Sequence, residues 1–166
     1  MAVRAYFVAV STDTLARLRN EPETLLEYLY PNDGQDEPPN CIDLDKAWQG
    51  VQYLLTGEAE GGTEPLSLAV FGGEVFGPDD VGWEAARFLT PEQVVEVSGA
   101  LSGLTREDLL QRFNPKDMAA KDIYPEGMWG GGGKGAFGYL MENYPTLVAF
   151  YRDTAARGDA VIQWLG

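Results

Sequence analysis

Asp43 and Asp45 stand two apart in CIDLDKAW, the D-x-D spacing with which carboxylates can share a metal ion. On a helix, residues two apart point to nearly opposite sides, so the pair converges only in irregular chain before a helix. A carboxylate at a helix start also caps free N–H groups and meets the favourable end of the dipole, which by itself accounts for both residues. With Glu74 they form a set of acids able to act as acid, base or metal ligand without histidine. Gln49, Gln52 and Tyr53 are expected on the side of the following helix away from Trp48 and Val51. There they line a cleft, with Glu74 and Arg87 brought up from the central segment, or are simply solvated. Tyr124 and Trp129, in IYPEGMW, serve either as lids on the core or as binding anchors.

WGGGGKGAFG, residues 129–138, raises the question of phosphate. A P-loop needs a glycine five residues before Gly-Lys and a Ser or Thr after it. Here Met128 and Gly135 occupy those places. Gly133, Gly135 and Gly138 do satisfy G-x-G-x-x-G, but that pattern binds dinucleotides only between a strand and a helix, and IYPEGMWGGG is not a strand. The expected structure is a slack surface loop.

The chain of 166 residues carries 26 Asp+Glu against 12 Lys+Arg, a net charge of −14. That field repels nucleic acid and favours a basic protein partner, while also serving solubility. Histidine is absent, which removes the common Ser-His-Asp and Cys-His catalytic sets and the usual histidine-containing zinc sites. Cys41 is the only cysteine. It can form no intrachain disulfide, lacks a histidine to activate it, and reads as a small, partly buried apolar residue. No metal or cofactor is implied. MAVRAYFVAVSTD lacks the apolar core and cleavage site of a signal peptide, and no run approaches the ~20 apolar residues of a membrane span. The reading is a cytoplasmic protein without a membrane partner.

The positioning elements follow from periodicity. Val3 to Val10 predicts a strand, then Ser11 or Thr12 caps a helix carrying Leu15 and Leu18. A second helix starts near Pro22, with Leu25, Leu26 and Leu29 as its apolar face. PNDGQDEPPN is a surface loop. Leu44, Ala47, Trp48, Val51, Leu54 and Leu55 recur at helical spacing, with Trp48 expected in the core, and Gly57 stops that helix. Leu66 to Phe71 predicts a buried strand. Thr90, Thr105 and Asn114 each open a short helix between 91 and 121. A helical region over 137–157 is expected to kink or restart at Pro145, before a final strand over 160–165. Few strands and many helices without βα alternation predict α+β: one compact domain, 1–166, with short helices on a small mixed or antiparallel sheet that includes both terminal strands.

The segments IDLDKAWQGVQYLLTG, PLSLAVFGGE, ARFLTPEQV, DIYPEGMW and FYRDTAARGDAVIQWL, in that order, resemble the YfbM-like family, domain of unknown function 1877, over nearly the whole chain. The resemblance implies a small α+β protein without an established activity. Family members often carry histidines around the positions of Gln49 and Gln52; any metal or base role they have there is not carried over. Two functions compete. The first is a non-enzymatic binding domain with its site beside helix 44–56 or on an acidic face, one form being an immunity-type inhibitor of a basic toxin. The second is a carboxylate-dependent hydrolase or transferase, which requires Asp43, Asp45 and Glu74 to converge in one pocket.

Overall fold

The computed structural model describes residues 2–166. The two terminal runs become β1, Ala5–Val10, and β5, Ala160–Leu165, antiparallel neighbours over six paired residues. Both are apolar at consecutive positions because both faces of the sheet are covered. Ala5, Phe7, Ala9, Val161 and Leu165 face one helical layer; Val8, Val10, Ile162 and Trp164 face the other.

Three shorter strands complete an all-antiparallel sheet. β2, Cys41–Asp43, lies outside β1; β4, Ala86–Leu89, pairs with the other side of β5; β3, Glu74–Phe76, lies outside β4, giving the order β2-β1-β5-β4-β3. At three or four residues they are too short to show an alternation.

Leu66–Phe71 is not a strand. It opens as a 3-10 turn, Leu66–Leu68, and continues as irregular chain with Leu68, Ala69 and Val70 all buried. Its polar backbone is satisfied by local turn bonds, such as Leu68 N–H to Pro65 O and Ala69 N–H to Leu66 O, and by side chains instead of a neighbouring strand. Gln163 Nε2 donates to Leu68 O (3.0 Å), Tyr151 Oη to Ala69 O (2.6 Å), and Gly72 N–H to Gln163 Oε1 (3.2 Å). A short apolar run reports burial, not the conformation that achieves it.

Helix α1, Thr12–Asn20, is capped by Ser11 Oγ, which accepts from Thr14 N–H. In α2, Leu25–Leu29, Leu25 and Leu29 are buried and Leu26, expected beside them, is exposed. These two helices cover the Val8–Trp164 face with Leu15, Leu18, Leu25 and Leu29. The opposite face carries α3, Trp48–Thr56; α4, Pro91–Ser102; α5, Arg106–Arg112; α6, Pro115–Ala120; and α7, Ala136–Arg157. Thr90, Thr105 and Asn114 cap α4, α5 and α6 as read from the sequence. The expected break at Pro145 does not occur: α7 is one helix of 22 residues. Pro145 deletes one donor, while Leu140, Met141, Tyr144, Leu147 and Phe150 on both sides of it are buried and hold the helix together.

The glycine run is a turn rather than slack chain. Gly131, Gly132, Gly133 and Gly135 all take positive φ. A Cβ on Gly133 would lie 2.9 Å from both Phe113 Cζ and Pro115 Cβ. The run precedes α7, but no strand precedes the run, so the context a dinucleotide fingerprint requires is missing.

Candidate functional site

A cleft of about 650 Å³ opens on the α3–α7 face of the sheet, in the size range of small-ligand sites. Trp48 and Gln52 of α3 form one wall, the 59–64 loop the rim, and Phe71 to Gly73 with Arg87 of β4 the other wall. Gly73 is required there: its φ is +93°, and any Cβ would strike Phe88 O of the adjoining strand.

Two groups in this cleft lack partners. Gln52 is 4 % exposed. Its Nε2 donates to Gly61 O (2.8 Å) and Thr56 Oγ1 (3.2 Å), which fixes the amide's orientation, and its buried Oε1 accepts nothing. Arg87 stacks over Phe71, 4.6 Å from guanidinium carbon to ring centre. Its Nε is buried without a partner, and the nearest paired carboxylate, Glu84, lies 4.0 Å away. Among the described residues Arg87 is the only cation lining the cleft; Glu60, Glu64 and Glu84 also line it.

The candidate residues divide sharply. Gln52 and Arg87 contribute side chains to the cleft. Glu74 borders it, but its carboxylate leaves the other face of the sheet: Glu74 pairs in register with Phe88 while Arg87 pairs with Val75. It meets Arg19 of α1 at 3.5 Å instead. Gln49 is used structurally, accepting from Tyr124 N–H (2.6 Å) and donating to Ala59 O (3.4 Å). Tyr124 Oη accepts from Val3 N–H (2.8 Å), and its ring stacks on Trp48. Trp48 is half-buried rather than in the core, donating to Val3 O. Trp129 is buried and donates to Ile123 O (2.7 Å). Tyr53 donates to Asp117 Oδ2 (2.7 Å); burial, reinforced by that bond, pushes its hydroxyl up to about 12.

Asp43, the last residue of β2, and Asp45, the first of a 3-10 turn, do converge, but on a cation the protein supplies itself. Arg4 lies 2.6 Å from Asp43 and 3.4 Å from Asp45. Asp43 Oδ1 also accepts from Asp45 N–H (2.7 Å), a local bond and not the expected helix cap, since neither the 3-10 turn Asp45–Ala47 nor α3 has a side-chain cap, and Tyr139 Oη donates to Asp45 Oδ2 (2.8 Å). Asp43 sits on β2 and Glu74 on β3, the opposite edges of the sheet, about 19 Å apart at ~4.8 Å per strand. The three carboxylates therefore cannot act on one substrate or ion. Among the described residues no group of three His, Cys, Asp or Glu side chains is gathered as a metal would need, and no helix is long and apolar enough to cross a membrane. Cys41, half-buried, has its thiol pushed up to about 12 by burial and then by Glu37 and Asp43, which disfavours the thiolate that a nucleophile needs.

Sequence reasoning did not find Glu60, Glu64, Glu84, Phe71 or Gln163. The signal for the first two was the acid–glycine alternation of GEAEGGTE directly after a strong helix. For Gln163 it was a lone amide in an otherwise apolar strand.

Fold and cleft together define an α+β protein with one antiparallel sheet between unequal helical layers and a polar cleft on the larger side. The chain belongs to the family described as Domain of unknown function (DUF1877), whose profile matches residues 1–164. Its structure is similar to the crystal structure of a protein of unknown function, YfbM, from Escherichia coli, with a TM-score of 0.77 over 100 % of both chains at 20 % identity. That likeness is one of fold. No functionally curated protein matches the chain.

Proposed function

We propose that the protein is a non-enzymatic binding domain for a basic protein partner, with the cleft beside α3 as its site. The observation that carries this reading is the cleft's charge: three glutamates to one arginine, on a chain of net charge −14. A cationic segment gains there from the general field and from the local rim, with faster association at low salt. The geometry disfavours the carboxylate-enzyme alternative, since its three acids lie at opposite sheet edges. An immunity-type inhibitor of a basic toxin is one form of this function.

The test is affinity capture from lysate with the immobilised chain, compared with the Glu60→Gln/Glu64→Gln/Glu84→Gln variant. A basic protein retained by the wild type, released by salt and lost with the variant is expected. Retention of the same proteins by both, or of no basic protein, overturns the reading.

A further inference from the structure

The partner's chemistry can be narrowed, on the assumption that the cleft is the site proposed above. Its two unmatched groups are opposite in kind. Arg87 offers a planar fork of N–H donors with no acceptor in hydrogen-bond contact, and Gln52 Oε1 is a fixed, buried acceptor with no donor. Leaving either unmatched costs free energy, so a ligand that reaches into this wall gains by satisfying them. A guanidinium already stacked on Phe71 is pre-organised for a carboxylate, which it can hold through two parallel hydrogen bonds. Gln52 Oε1 can take an N–H from an adjacent ammonium or amide. The rim, however, carries Glu60, Glu64 and Glu84 and resists any ligand that is anionic overall. One chemical class meets all three demands in one residue: a basic amino acid with a free α-carboxylate.

We infer that the cleft binds the α-carboxylate of a basic residue, lysine or arginine, with Arg87 holding the carboxylate, Gln52 accepting from the neighbouring N–H and the glutamate rim facing the cationic side chain. Such a residue can be free or can end a partner's chain. In the first case the N–H is the α-ammonium, in the second the last peptide group.

Calorimetric titration with four probes tests this: L-lysine, L-lysinamide, L-glutamate and the tripeptide Ala-Ala-Lys with a free carboxylate. L-Lysine or Ala-Ala-Lys should bind, and L-lysinamide, although more cationic, should bind at least about tenfold more weakly, the scale of one lost charge-assisted hydrogen bond. Arg87→Gln should remove that preference without weakening L-lysinamide, and Arg87→Lys should restore it only in part, because the fork is lost. Gln52→Leu should weaken the lysine-bearing probes in a chain whose thermal melt shows it folded. Preference for Ala-Ala-Lys over L-lysine assigns the ligand to a chain terminus, and the reverse assigns it to the free amino acid. Equal or tighter binding of L-lysinamide overturns the inference while leaving the acidic rim and the basic-partner reading intact. Binding of L-glutamate as tight as that of L-lysine overturns both. If neither lysine probe binds but a basic partner is still captured, the inference falls alone.

Discussion

Gln163 shows how much one side chain can organise. It is completely buried in the central strand and makes three hydrogen bonds, to Leu68 O, Gly72 N–H and Tyr151 Oη. These tie the irregular 66–73 segment to the sheet and so set the cleft wall. Replacing Gln163 with Leu leaves three buried polar groups short of a partner and should cost about 2–3 kcal/mol, read by denaturant unfolding. A cost under about 0.5 kcal/mol would mean that the segment is held by packing alone. Arg87 should behave oppositely. Its contribution to the fold is the stack on Phe71, worth roughly 0.5–1 kcal/mol, set against an unsatisfied buried Nε. Without ligand, Arg87→Met should be neutral or stabilising by up to about 1 kcal/mol, as expected where function is kept at some expense of stability. A large destabilisation would show Arg87 to be structural.

At the scale of elements, α3 is anchored at its C-terminal end by side chains from other helices. Gly57 closes it in a left-handed cap. Arg112 donates to Leu54 O and Leu55 O, and Lys121 to Gly57 O, placing two cations at the negative end of the dipole. The helix and its stop were legible from periodicity and glycine; the two cations were not, because they come from α5 and the end of α6. The glycine run divides in a similar way. Gly130 is exposed with open space around its Cβ position, whereas Gly133 combines φ +67° with contact to Phe113 and Pro115. Gly130→Ala should leave the melting temperature unchanged, and Gly133→Ala should cost about 1–3 kcal/mol. Equal effects would show the run to be slack chain after all. Leu26 was misread because apolar spacing does not say which neighbour, if any, covers a side chain; the 66–71 run is buried as expected and was misread because burial does not specify backbone conformation.

For the molecule as a whole, the groups whose protonation is most tied to the fold titrate in alkali. Burial raises Tyr53, Tyr139 and Tyr144 from the ordinary 10.0 to about 12, with Asp117 and Asp45 adding to the first two, and raises Tyr151 well above its ordinary value. Cys41 moves to about 12 from 9.0. The folded state keeps protons that the unfolded state releases, so this stability is fully present below pH 9, begins to decline as the unfolded thiol and then the phenols ionise, and is lost as pH rises through about 12. Thermal melts should show a falling midpoint across that window, with tyrosinate absorbance appearing together with unfolding. Tyrosinate forming near pH 10 with the melting temperature unchanged would contradict the burial of these rings.

Composition and local pattern determined the α+β class, the two terminal strands, every helix with a capping signature, and the absence of histidine chemistry, because each of these is set by residues within one turn or one strand of each other. The tertiary structure decided everything that depends on distant neighbours. It gave Asp43 and Asp45 an internal cation, turned Glu74 to the far face of the sheet, consumed Gln49, Tyr53, Tyr124 and Trp129 in structural hydrogen bonds, and left Gln52 and Arg87 unmatched in one cleft. Sequence spacing fixes which side chains are near along the chain; only the pairing of β3, β4 and β5 and the packing of α3 over them fixes which polar groups find partners and which are left for a ligand.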